Sequence, residues 1–195
     1  MLDSRFDFTP RNCAGFTLVE LLVVVLILCI LVSVALPVYN RVIAKTRASQ
    51  LLIAMNSVLK GEEVYFINHN KYAMDIGVLN IHFSNLPKKN VNHISGGSNI
   101  GYGPAYGPNM WAIYTHTPKG DVTLNARFDS GLYWGCGFWY GFEFSINPKM
   151  EHKIFCFEGE RNKQIKPGDF CKTVMGAEEL VYTSSGGSRW YAMTY

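Results

Sequence analysis

The stretch Gly15-Phe16-Thr17-Leu18-Val19-Glu20-Leu21-Leu22, continuing as VVVLILCILVSVAL to Pro37, decides how this chain is read. From Phe16 to Leu36 it runs 21 residues, and Glu20 is its one charge. A bilayer core takes roughly 20 apolar residues at about 1.5 Å each. The run is apolar on all sides, whereas a surface helix is apolar on one. A secretory signal peptide and a plain single-pass anchor are the two ordinary readings. The apolar core exceeds the roughly 7–15 residues of a signal peptide, and no Ala-x-Ala site follows it. Pro37-Val38-Tyr39-Asn40 is a poor cleavage site for a signal peptidase.

Glu20 separates these readings from a third. An acid in a membrane-length segment costs about 2.5–3.5 kcal/mol at the centre and less near the end, so it points to a partner. The string Gly15-Phe16-Thr17-Leu18-Val19-Glu20-Leu21-Leu22 closely resembles the class III signal of type IV pilins and type II secretion pseudopilins. The resemblance covers roughly residues 11–50. It implies that residues 1–15 are a leader, that a prepilin peptidase cuts after Gly15 on the cytoplasmic side, and that Phe16 is then N-methylated by the same peptidase/methyltransferase. Glu20 falls at the fifth mature position. Pro37 falls at the twenty-second, where many members carry Pro. Ala14 departs from the Lys or Arg that often precedes the Gly, with Arg11 close by.

The role implied for Glu20 has a plain physical basis. Cleavage would leave a charged amine on Phe16 inside an apolar bundle, where an isolated charge is costly. The resemblance implies that Glu20 of one subunit pairs with the Phe16 amine of a neighbour and sets axial register, as a buried polar contact does in coiled coils. Leu21, Leu22 and the rest of the Val/Leu/Ile run supply cohesion, solvated by lipid before assembly. Thr17, Leu18 and Val19 read as packing residues without individual roles. The competing reading of Glu20 is a side chain that snorkels to the interface. Arg41, Lys45 and Arg47 outnumber Arg5 and Arg11, which by the positive-inside rule leans toward a cytoplasmic C-terminus. The resemblance implies the reverse, an inner-membrane prepilin with its N-terminus cytoplasmic, and the motif is the more specific signal.

Beyond Pro37, which lacks an N–H and is expected to kink or locally open a helix, the pattern changes. Val38, Val42, Ile43, Leu51, Leu52, Met55, Val58, Leu59 and Tyr65 recur mostly at spacings of three and four, with cations and Gln50 between them. That predicts an amphipathic continuation over residues 37–70. One helix from about Thr17 to about Asn68 would measure about 75–80 Å. Gly61 would weaken its last turns by about 1 kcal/mol relative to Ala. Residues 63–72 resemble the aromatic helix end of many pilins, and aromatic side chains plugging a sheet core account for them.

Residues 71–195 form the expected extracytoplasmic domain. Residues 73–108 are loop-rich, and the glycines of 96–104 match neither a dinucleotide fingerprint nor a phosphate-binding loop. Strand-like runs follow at 110–117, 122–128, 132–146 with a break at 135–137 or at Gly141, and 152–157. Turn signals at 118–120, 129–131 and 147–149 separate them. Sequential strands on short turns predict an antiparallel meander of three or four strands packed on the helix. The fold class is therefore α+β and pilin-like, a long N-terminal α-helix against a small antiparallel β-sheet. The aromatic tail 189–195 reads as a final strand or an adhesive surface.

Of five cysteines, Cys13 lies in the leader and Cys29 in the apolar span. Cys156 and Cys171 flank a polar loop that resembles the Cys-bounded C-terminal loop of many type IV pilins, which implies a Cys156–Cys171 bridge. A bridge from Cys136 to either one is the alternative. No spacing supports zinc. His69, His82, His93, His116 and His152 are scattered, and Ser184-Ser185-Gly186-Gly187-Ser188 reads as a loop, so neither an enzyme nor a cofactor is expected. Asp169, Glu178 and Glu179 do not form an alternating oxygen-ligand loop for calcium, the feature associated with major pseudopilins. The 17% charged and 48% hydrophobic composition excludes a disordered chain, and a net charge of +3 without a basic stripe argues against nucleic acid.

The resemblance thus implies a structural subunit of a type IV pilus, whose partners are identical subunits, the peptidase/methyltransferase and an inner-membrane assembly platform. A periplasmic pseudopilus subunit is the alternative, and a membrane-anchored extracytoplasmic binding module is a second.

Overall fold

The apolar run and its amphipathic continuation form one helix, α1, Leu18–His69, in the computed structural model. The structure describes residues 15–79, 81, 87–89, 105–107, 111–116, 121–144 and 147–193. Residues 1–14 of the expected leader, the stretch 96–104, the turn expected at 118–120 and the last two residues of the tail lie outside them. α1 runs through Pro37 without interruption instead of opening there. It stops where the amide of Asn70 bonds the Phe66 carbonyl and Asn70 takes φ 51, a left-handed conformation that Asn tolerates.

The chain divides into two units, Met1–Asn40 and Arg41–Tyr195. In the first, every described residue of α1 is exposed. In the second, one face of α1 is buried: Ala44, Ala48, Leu51, Met55, Val58, Leu59 and Glu62, at spacings of one to four. The apolar spacing put the start of this stripe at Val38, but Val38 and Val42 are each 58% exposed and burial begins at Ala44. Gly61 has a packing reason that offsets its weak helix propensity. A Cβ there would lie 3.0 Å from Ile81 Cγ2 and 3.4 Å from Leu79.

Among the described residues, eight strands form a single sheet: β1 (Lys88–Lys89), β2 (Ala105–Tyr106), β3 (Trp111–His116), β4 (Val122–Phe128), β5 (Gly137–Glu143), β6 (Ile154–Glu158), β7 (Leu180–Thr183) and β8 (Arg189–Ala192). The order is β1-β2-β3-β4-β5-β6-β8-β7, antiparallel throughout. The expected meander is β3 to β6. The loop-rich connection contributes two short strands at one edge, and the tail joins as β8. The meander stops at β6, because β8 and not β7 pairs with it. Trp190 and Tyr191 of β8 are both buried, whereas β7 is largely exposed, so β8 takes the interior place and β7 the edge.

β5 begins at Gly137, where a Cβ would run into the Ala126 carbonyl. It continues through Gly141, where the register with β4 shifts instead of the strand ending. Alternation along the strands then sorts the side chains onto two faces. Ile113, Leu124, Ala126, Phe138, Phe142, Cys156 and Tyr191 join the cluster that contains the buried face of α1. Trp139, Phe144, Met150, Phe155, Phe157 and Trp190 form a second, mostly aromatic cluster on the other face. The guanidinium of Arg127 lies 3.8 Å from the Phe157 ring centroid and covers part of it.

Candidate functional site

Gly15, Phe16 and Glu20 come together at the amino end of α1. Gly15 is exposed, and a Cβ there would meet nothing within 4 Å. Phe16 is 76% exposed. Glu20 Oε2 accepts the Thr17 amide at 2.9 Å and the Thr17 hydroxyl at 2.8 Å, and Thr17 Oγ1 accepts the Glu20 amide at 3.3 Å. This is a reciprocal capping box with Thr17 at the cap position. Thr17 therefore has an individual role, contrary to its reading as a packing residue. The Thr-x-x-Glu spacing was visible in the sequence. The capping arrangement satisfies backbone donors that a helix start otherwise leaves open, and it sets a carboxylate against the positive end of the helix dipole.

Leu18, Leu21, Leu22, Val25, Leu26 and Cys29 line a shallow apolar hollow of about 540 Å³ along one face of the helix. The spacings of three, four and seven are those of one helical face. Leu21 and Leu22 are 60% and 57% exposed. Pro37 sits inside the helix, also in the exposed part. By length and composition α1 is apolar enough to cross a membrane.

Cys156 and Cys171 lie in the second unit and are bonded, with Cα atoms 5.6 Å apart. Cys136 is a buried free thiol, and burial pushes its pKa up to about 12, so it stays protonated. Cys171 sits in a turn of π-helix, Asp169–Val174, entered through Gly168 at φ 84. Glu158 organises this loop. It is fully buried, and its carboxylate accepts the amides of Gly168 (2.9 Å), Phe170 (3.1 Å) and Cys171 (3.0 Å). It also accepts Arg189 Nε and the Tyr191 hydroxyl, both at 3.2 Å. Five donors, one of them the cationic Arg189 directly across the β6–β8 register, offset the desolvation of that charge. Reading the sequence missed Glu158. Its place two residues after Cys156 in a strand puts both on one face, and that was the available signal.

Asn162 holds the start of the same loop, donating to the carbonyls of Leu132 (2.7 Å) and Trp134 (2.9 Å). Glu178 and Glu179 extend the β7–β8 pairing through their backbones to Ala192. Ser184 and Ser188 shape the turn between those strands, where the Ser188 amide donates to Ser184 Oγ.

Residues 10–36 match the family described as the prokaryotic N-terminal methylation motif. The chain is 38% identical over 71 residues to the type IV wide pilus major component PilA4 of Thermus thermophilus, covering 35% of this chain and 53% of that protein. It is 36% identical over 58 residues to the type IV major pilin protein PilE1 of Neisseria gonorrhoeae, covering 30% and 35%. A fimbrial protein of Neisseria meningitidis is 34% identical over 58 residues, covering 30% and 34%. The match thus spans about half the length of one relative and about a third of the others. No solved structure matches significantly. The amino-terminal third of the chain is thus similar to type IV pilins and carries the N-terminal methylation motif.

Proposed function

We propose that this chain, a member of the type IV pilin family by its amino-terminal third, is a structural subunit of a type IV pilus. It is cleaved after Gly15, N-methylated on Phe16 and polymerised through α1. The observation that carries this reading is a membrane-length helix end with no buried residue, headed by a carboxylate already turned toward the amide next to the cleavage site. An exposed apolar surface of this extent needs lipid or protein around it. Before assembly the inner membrane supplies the first, with the leader cytoplasmic and residues 71–195 outside. Afterwards neighbouring subunits supply the second. Cleavage turns the Phe16 amide into an amine one residue from the Thr17 amide that Glu20 already accepts. The carboxylate is thus placed for that amine, or for a neighbour's. The Cys-bounded loop favours the pilus over the pseudopilus.

The test is peptide mass spectrometry of the N-terminus on the sheared surface fraction of native cells. An abundant N-methylated Phe16 terminus is expected there. The same terminus confined to the cell envelope would make the chain a pseudopilus subunit. A Met1 terminus found only in membranes would make it an anchored module and overturn the reading.

A further inference from the structure

Glu62 is the one ionisable residue among the buried positions of α1. It is fully buried, two turns before the helix ends. Its Oε2 accepts the Ala73 amide at 2.8 Å, while its Oε1 is buried without a hydrogen-bond partner. The segment that leaves the helix folds back over this point. Leu79 and Ile81 close on Gly61, Ala73 and Ile76 are buried in the core, and Thr115 of β3 donates its hydroxyl to the Met74 carbonyl. Tyr72 is stacked between Phe66 and Phe142, at 4.6 and 4.3 Å. Glu62 is therefore the polar pin between the helix and the segment from 73 to 81.

The charged and titratable groups around it do not neutralise it. Tyr72, on the outgoing segment, has its phenol raised by burial and then by the charges of Glu143, Glu62, Glu63 and Glu151. Tyr140 of β5 is raised by burial and then by Glu63 and Tyr72. Asp75 is paired with Lys88 at 3.8 Å, and His69 stacks on Tyr65 one turn below it. Burial pushes Glu62 up to about 7, with the Ala73 amide pulling the other way and no cation contributing.

We propose that Glu62 is a pH-operated latch, which holds the segment 73–81 on α1 while its carboxyl is protonated and loosens that hold when the buried carboxyl ionises. The sign follows from linkage. Below 4.5 the carboxyl is protonated in folded and unfolded chain alike, and the latch contributes fully. As the pH rises from 4.5 to about 7 the unfolded chain gives up its proton first, and folding weakens. Above about 7 the loss is complete, about 300-fold in the folding equilibrium. This inference stands apart from the filament reading.

The test is urea unfolding of the full chain in detergent micelles at pH 5 and pH 8.5, for the native sequence and for Glu62→Gln. The native folding constant should fall roughly 50–100-fold between the two, and Glu62→Gln should remove most of that fall. Equal pH dependence in both proteins would overturn the proposal. Should Glu62→Gln not fold, the native Glu62 carboxyl is titrated directly by carbon NMR. A midpoint near neutrality supports the latch, and one in the ordinary carboxylate range refutes it. Protection of the Ala73 amide, corrected for intrinsic exchange, should fall with the same midpoint. Protection independent of pH would also refute the latch.

Discussion

Two stretches of one helix, residues 18–42 and 44–62, both carry aliphatic side chains, but the first is exposed on every side and the second buries one face. Leu28 is 53% exposed and Leu51 is fully buried. Ala44, Ala48, Leu51, Met55 and Val58 face a sheet that the same chain supplies. Every described residue from Leu18 to Asn40 is exposed. Residue chemistry sets the demand for burial, roughly 1.5–3 kcal/mol for a Leu, but the rest of the fold decides whether one molecule can meet it. The second stretch is a core element of a folded domain. The first is left exposed, and under the proposed function lipid or other copies would cover it.

That contrast is open to attack from the core side first. Removing the Glu158 carboxylate strands Arg189 and three loop amides. Glu158→Ala should cost about 3–5 kcal/mol in urea unfolding, while insertion of the helix into membranes stays unchanged. Met55→Ala should cost about 2–5 kcal/mol of subunit stability, because Met55 is fully buried. Leu28→Ala should shift it by less than about 0.5 kcal/mol and lower filament yield instead. If Leu28→Ala destabilised the subunit as much as Met55→Ala, the distinction between the two stretches would fail. Replacing both Cys156 and Cys171 by Ala should cost about 3 kcal/mol for a loop with a sequence separation of 15. The Glu158 bonds should still hold the loop, so amide protection at Phe170 should outlast the bridge. Thr17→Ala removes a cap worth about 1 kcal/mol. It should fray the helix start, measurable by amide exchange at residues 17–20, without touching the core. Glu20→Ala goes further than capping. It should leave the chain inserted and processed but poorly assembled, and normal filament yield would sink the register role.

Much of the fold was legible in the sequence because it rests on local rules. The helix was visible from its unbroken apolar run and the three-and-four spacing that follows. Strands β4 and β6 were visible from apolar and aromatic runs between turn residues. The aromatic tail was legible as a final strand, β8, but β7 was not, and only the bulk of Trp190 and Tyr191 against Leu180 and Val181 decides which of the two goes inside. The start of the buried stripe was misplaced because Val38 and Ala44 look alike to a periodicity and differ only in what lies opposite.

By itself, the sequence determined the helix, its membrane-length apolar end, the Thr17–Glu20 spacing and the α+β class. These depend on residues a few positions apart, or on simple counts of apolar side chains. Only the tertiary structure decided that Glu158 would be a satisfied ion with five donors and that Glu62 would be a buried acid with one. Both are glutamates next to a glycine in the chain. Their difference lies in donors from residues 168 to 191 in one case and a single amide at Ala73 in the other. The energy of a buried charge is set by what the fold brings to it.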